Sequence, residues 1–229
     1  MIILVRHGEA THHTQHLTGG WTDSSLTEKG RTQLETVGKV LARDFSGQAC
    51  KLRILASDLK RALESAELLA AALGSREIVE PCGFLREKNN GQAAGLSETA
   101  ARALYREPDE ERSLDHRNYP GGETRREFFK RTLDGLRATT DWEKENLLIV
   151  AHKGSIQNLI FAWLGLGIEA VNRLNFSVDV LPASVTVLGI NKWDEHAIFC
   201  LNNNLALQEA ASYGIFNYKY GALDACRIK

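Results

Sequence analysis

The sequence predicts a three-layer α/β sandwich, a mostly parallel central sheet with helices on both faces. Three observations carry that expectation. Two short continuous apolar runs, Ile2–Val5 and Leu147–Ala151, read as strands buried on both faces. Stretches of helical periodicity lie between the apolar runs. Each run also passes through a polar, glycine-containing turn, Arg6-His7-Gly8 and His152-Lys153-Gly154, before the next element begins.

In chain order, the first strand is Ile2–Val5. From Thr27 to Phe45, Leu34, Val37, Val40 and Leu41 recur at helical spacing. Arg53–Ala56 reads as a second strand. Asp58 is then the expected N-cap of a helix whose stripe is Leu59, Ala62, Leu63, Ala66, Leu69, Ala70 and Leu73, closed by Gly74. The polar, weakly periodic stretch of about 88–122 reads as a lid-like insertion over one end of the sheet, with short helical pieces such as "SETAARALYRE". "LLIVAHKGSIQNLI" gives the third strand and its helix. "ASVTVLGI" alternates like a strand from the sheet's edge region.

With 229 residues, no repeat and no linker-like tract, one domain spanning 1–229 is expected. A net charge of -1 offers no general attraction for nucleic acid, so none is expected as a partner. No apolar run is long enough to span a bilayer, and the start of the chain lacks the features of a signal peptide, so a cytoplasmic protein without a membrane partner is expected. Cys50, Cys82, Cys200 and Cys226 form no CxxC pair and suit reduced structural thiols; the sequon at Asn175 then has no role.

Three strand ends share a chemistry. Arg6 and His7 follow the first, Ser57-Asp58-Leu59-Lys60-Arg61 the second, and His152-Lys153-Gly154 the third. If these strands are parallel neighbours, Arg6, His7, Arg61 and His152 converge at the carboxyl edge of the sheet, where such sheets bind ligands. Guanidiniums match phosphate oxygens, and helix N-termini add positive potential. The expectation is an anion pocket containing histidines. His12, His13 and His16 invite a metal reading, but no Cys or carboxylate framework accompanies them, and no metal or other cofactor is expected.

The motifs also resemble those of the histidine phosphatase superfamily, the phosphoglycerate mutase-like group. "LVRHGEA", "GGWTDSSLTEKGRTQ", "ASDLKRALESAELL", "FLREKNNGQAAGLSE", "YPGGET" and "LLIVAHKGSIQNLI" follow the family's order over most of the chain. The resemblance implies a phosphoglycerate mutase-like fold and a phosphohistidine formed on His7. It implies that Arg6, Arg61 and His152 hold the phosphoryl group, and that Glu87 is the proton donor, a role that needs a carboxyl kept protonated near neutral pH. A nucleophilic His7 must be neutral, which the flanking arginines favour. No metal is then required, because the arginines supply its charge.

The sequence departs from the family pattern in three places. His13 stands where an asparagine is usual. Lys153 replaces a glycine, so that its ammonium either adds charge to the pocket or points to solvent. Gly19 replaces a hydroxyl residue, with Thr18 one position earlier. Phosphate or substrate binding is therefore expected of Arg6, His13, Thr18, Gly19, Gly20, Arg61, His152 and Lys153, and catalysis of His7, Glu87, His152, Arg6 and Arg61.

The short insertion favours a phosphatase acting on a small phosphomonoester. A 2,3-bisphosphoglycerate-dependent phosphoglycerate mutase is the alternative, because "GQAAGLSETA" resembles the mutase version of its segment. A non-catalytic phospho-ligand binder is disfavoured by the presence of all five core residues. Arg102, Arg106, Arg112 and Arg117 could meet an anionic substrate or form a solvated face, and Trp21 could stack on a ring or pack beneath the loop. Oligomeric state is not legible, although a homodimer is compatible.

Overall fold

The computed structural model describes residues 1–45, 52–75, 77–108, 110 and 113–204. Cys50, Arg112 and Cys226 lie outside them.

The chain begins with β1 (Ile2–Arg6), a one-turn helix α1 (Thr11–Thr14) and the long helix α2 (Glu28–Asp44). Thr27 starts α2 by accepting the Gly30 N–H on its hydroxyl at 3.0 Å. There follow β2 (Arg53–Ala56), α3 (Lys60–Ala72), the two-residue β3 (Glu80–Pro81) and α4 (Glu98–Leu104). Next come α5 (Arg125–Thr139), β4 (Leu147–Ala151), α6 (Lys153–Trp163), α7 (Ile168–Leu174), β5 (Val185–Ile190) and β6 (His196–Asn203).

The strands form one six-stranded sheet in the order β3-β2-β4-β1-β5-β6. β3, β2, β4 and β1 run parallel, and β5 runs antiparallel to both neighbours. Successive strand side chains point to opposite faces, and each strand thereby feeds two cores. Ile3 and Val5 pack with Leu34, Val37, Ala66 and Leu69 of α2 and α3. Ile2 and Leu4 pack with Leu133, Leu136, Ile156, Leu159 and Val171 of α5, α6 and α7. Each such burial contributes about 1.5–3 kcal/mol, so the two helical layers supply the stability that lets the strand ends carry unfavourably buried polar groups.

"ASVTVLGI" forms β5, one strand in from the edge and lying between β1 and the half-exposed edge strand β6. One expectation needs correction. Asp58 does not cap α3. Its carboxylate instead forms a bidentate pair with Arg86 at 2.7 and 2.6 Å, Leu59 occupies the cap position, and Asp23 accepts the Lys60 N–H at 3.3 Å from across the loop. A charge-assisted bidentate pair outweighs a single local cap bond.

Candidate active site

β1, β4 and β2 are adjacent and parallel, so their carboxyl ends place Arg6-His7, His152 and the start of α3 side by side. The first turn after β1 is tight because α2 approaches it closely. A Cβ on Gly8 would lie 2.4 Å from Leu34 Cδ2 and 2.6 Å from the Gly30 carbonyl oxygen, so only glycine lets the strand end at His7 pack there.

His7 is 2% exposed. Its Nδ1 lies 2.8 Å from the Gly8 carbonyl oxygen, which can only accept, so Nδ1 carries the proton and Nε2 presents a lone pair. Arg61 Nε donates to that Nε2 at 3.3 Å. Arg61 is itself 1% exposed and also donates to the Thr22 carbonyl at 2.5 Å, the Ser24 hydroxyl at 3.4 Å and the Gly20 carbonyl at 2.8 Å. These partners are all neutral, and burial lowers the Arg61 pKa to about 10, still protonated at neutral pH. A buried cation without a direct carboxylate partner suits an anionic ligand.

His152 is centred 5.0 Å from His7. Its Nε2 lies 2.8 Å from the Ser57 hydroxyl, while its Nδ1 is buried and has no partner among the described residues. Burial first, and the arginine charges second, hold His152 well below the ordinary histidine range. His7 is likewise held well below that range by burial, then by His152, Arg61 and Arg6. Both imidazoles are therefore neutral in the native protein at neutral pH.

Arg6 donates from Nη1 to the Val180 carbonyl at 2.7 Å, and its Nη2 lies 3.3 Å from His13 Nε2. The Ala10 N–H donates to His13 Nδ1 at 3.1 Å, which leaves the His13 proton on Nε2. Arg6 Nη2 and His13 Nε2 thus lie side by side, and the His13 ring stacks on that of His7 with centroids 5.6 Å apart.

Glu87 enters from the segment after β3. Its Oε1 accepts the Lys88 N–H at 2.8 Å, and its Oε2 accepts the Gly154 N–H at 3.0 Å in the first turn of α6. The loop carrying it is clamped from outside. Trp21 Nε1 donates to the Glu87 carbonyl at 2.8 Å, and the Arg86 guanidinium lies over the Trp21 ring at 4.6 Å. Trp21 thus packs beneath the loop. Arg131 donates to the Glu87 carbonyl at 3.1 Å and pairs with Glu123, the glutamate of "YPGGET", at 2.7 Å.

The remaining expected residues are placed unevenly. Gly20 has φ +72° and turns its carbonyl to Arg61; Gly19 packs 3.5 Å from the His12 ring, measured from an ideal Cβ. Thr18 faces the insertion, where its N–H donates to the Leu96 carbonyl at 2.8 Å. The Lys153 ammonium pairs with Asp179, on the loop that also supplies the Val180 carbonyl to Arg6. It does not add a free charge to the cluster of arginines and histidines.

Several contributors escaped the sequence reading. His12 is buried, bonded through Nδ1 to the Ser24 hydroxyl at 2.7 Å, and centred 4.0 Å from His13. Burial, with His13 and the two arginines, lowers its pKa to about 3. Ser57 and Arg131 were also not assigned to the site, whereas Trp21, read as either stacking on a ring or packing beneath the loop, does the second. His12 was noticed only with His13 and His16 as a possible metal group; Ser57 and Arg131 depend on contacts remote in sequence. Among the described residues no group of three or more His, Cys, Asp or Glu is arranged to hold a metal ion.

The profile of the histidine phosphatase superfamily (branch 1) matches residues 2–203. The chain belongs to that superfamily. A 2,3-bisphosphoglycerate-dependent phosphoglycerate mutase from Methylobacterium radiotolerans is 31% identical over 208 residues, covering 82% of this chain and 95% of the relative. A mycobacterial glucosyl-3-phosphoglycerate phosphatase solved with inorganic phosphate is 25% identical, with a TM-score of 0.64 over 90% of this chain and 99% of that one. The alpha-ribazole phosphatase of Shigella flexneri, 22% identical with a TM-score of 0.69 over 89% and 96% of the two chains, shares the fold. As a histidine phosphatase superfamily member, this chain carries the family's phosphatase-or-mutase chemistry on a phosphorylated small molecule. Among its described residues no single helix is long and apolar enough to cross a membrane.

Proposed function

We propose that this protein is a metal-independent phosphatase that hydrolyses a small phosphomonoester through a phosphohistidine on His7. The observation that carries this reading is the His7 tautomer: Nδ1–H is committed to the Gly8 carbonyl, leaving Nε2 as a neutral nucleophile against Arg61.

In the first half-reaction Nε2 attacks phosphorus, the P–O bond to the alcohol breaks, and Glu87 gives its proton to the departing alkoxide. Arg6, Arg61 and His13 donate to the phosphoryl oxygens. With the Ser57 hydroxyl donating to His152 Nε2, the His152 proton sits on Nδ1 and serves the same purpose. In the second half-reaction water attacks, Glu87 takes its proton, the P–N bond breaks and His7 returns to its starting tautomer. On this reading water reaches the phosphohistidine past the short insertion, whose one described α-helix is α4, and the free thiols Cys82 and Cys200 suit a cytoplasmic setting.

The mutase reading is favoured by the name of the Methylobacterium relative, which is matched over 95% of its length, so insertion length alone does not separate the activities. The glucosyl-3-phosphoglycerate phosphatase supports hydrolysis. Phosphate release from a panel of phosphomonoesters, with 2,3-bisphosphoglycerate-dependent isomerisation of 3-phosphoglycerate assayed in parallel, decides between them. Release without isomerisation is expected, and isomerisation without release would reassign the protein as a mutase.

Glu87→Gln keeps the shape of the side chain but cannot supply a proton. Its kcat should fall by about 10²–10⁴-fold on alkyl phosphates and much less on p-nitrophenyl phosphate, whose leaving group needs no proton. Equal losses on both would deny Glu87 the acid role. A methyl group at Gly154 would sit 2.3 Å from Glu87 Oε1 and 2.8 Å from Phe128 Cε1. Gly154→Ala should therefore lower kcat by about 10²-fold through a displaced carboxylate, and cost about 1–3 kcal/mol in urea unfolding. An unchanged kcat would show that the position of Glu87 is not critical.

A further inference from the structure

Outside the phosphate-facing cluster, α4 and its flanking chain border an open surface cavity of about 320 Å³ lined by Thr18, Glu98, Arg102, Tyr105, Glu107 and Tyr119. Two short connections tie it to the catalytic groups. Thr18 lies two residues before Gly20, whose carbonyl holds Arg61. Lys88, the neighbour of Glu87, donates from Nζ to Asn118 Oδ1 at 3.2 Å, and Asn118 Nδ2 donates to the Tyr105 hydroxyl at 3.0 Å. These connections make the cavity the candidate place for the alcohol portion of a substrate whose phosphate lies at His7 and whose ester oxygen lies at Glu87.

The lining specifies what that alcohol is. Tyr105 and Tyr119 meet edge to face with centroids 5.6 Å apart, an apolar wall for the flat C–H face of a ring. Glu98 and Glu107 only accept hydrogen bonds when ionised, whereas Arg102 only donates. Hydroxyl groups satisfy both kinds of partner. Two carboxylates against one guanidinium leave the wall acidic, and a carboxylate or second phosphate on the substrate meets like charge there. The volume, at the lower end of ligand pockets, suits one ring.

We propose that this cavity is the leaving-group subsite, and that it takes a neutral polyhydroxylated ring such as that of a sugar monophosphate, in preference to a second anionic group. The inference rests on the phosphatase reading of the same site and names its substrate class.

The test measures binding to His7→Ala protein by calorimetry, with a hexose monophosphate, 3-phosphoglycerate and inorganic phosphate as probes. Adding Tyr105→Ala, at an exposed position, should weaken hexose monophosphate about tenfold, the loss of one ring-stacking contact, and leave inorganic phosphate unchanged. Glu98→Lys with Glu107→Lys should shift the preference toward 3-phosphoglycerate. Equal hexose phosphate affinity with and without Tyr105, or a parent protein that prefers 3-phosphoglycerate, overturns the subsite. Turnover is read separately. Failure of the unaltered protein to release phosphate from any panel member would overturn the phosphatase reading, while a Tyr105-dependent hexose phosphate affinity would still support the subsite.

Discussion

His7→Ala should abolish phosphomonoester turnover, by on the order of 10⁴-fold or more, while the protein stays folded. The size of the effect follows from the role of Nε2. Arg61, Arg6 and His152 can still bind the phosphoryl group after the substitution, but no bond can form to phosphorus, and the one-step attack of water must replace two easier displacements. Folding is expected to survive because the alanine removes a buried polar ring whose partners are the Gly8 carbonyl and Arg61, leaving both hydrophobic layers of the sheet intact. Rapid quenching of the unaltered protein with radiolabelled substrate should trap an acid-labile, base-stable phosphoramidate, absent from the variant. Substantial turnover by His7→Ala would remove the covalent mechanism.

The second large effect is on stability. His7, His12 and His152 are all buried and neutral in the native state, with pKa values below the 6.5 of an unperturbed histidine, His12 at about 3. Between the native and unfolded pKa values the unfolded chain binds the extra protons, so stability rises with pH there and is lost as pH falls below about 6.5. Each histidine contributes a slope approaching about 1.4 kcal/mol per pH unit, and the three together approach about 4. Carboxylates held below their ordinary range by arginine or lysine partners, such as Asp58 and Glu9, add a loss of the same sign only at lower pH.

Urea unfolding at about pH 7.5 and about pH 5.5 should therefore show a fall of several kcal/mol, a large part of a domain's total stability. His7→Ala should reduce the slope by about a third. A flat profile across this range would mean that the histidines are not buried neutral groups. Activity shares the direction: the nucleophile stays deprotonated well below pH 6.5, so loss of activity between pH 6.5 and 5.5 should track unfolding and not titration of His7.

Much of this architecture was legible in local pattern. Ile2–Val5 and Leu147–Ala151 are apolar on both faces because α2 and α3 cover one side of the sheet and α5, α6 and α7 the other. The polar residues that end those strands break the apolar pattern, and their convergence followed from parallel pairing. Expected like-charge repulsion on His7 is present, although burial is the larger cause of its neutrality. β6 was not read because its exposed face carries apolar residues such as Phe199 and Leu201, which blur the alternation; β3 is only two residues long.

By itself, then, the sequence determined the order of β1, α2, β2, α3, β4, α6 and β5, the two-sided burial of the central strands and the residue types at their carboxyl ends, since periodicity and turn chemistry are properties of neighbours along the chain. Tertiary structure alone decided which partner each polar group took. Asp58 chose Arg86 over its own helix, Lys153 turned to Asp179, His12 joined the histidine cluster, and Trp21 and Arg131 came to hold the backbone of Glu87. Such choices are made among groups far apart in sequence, by the geometry and charge they meet once desolvated, and local pattern carries no record of them.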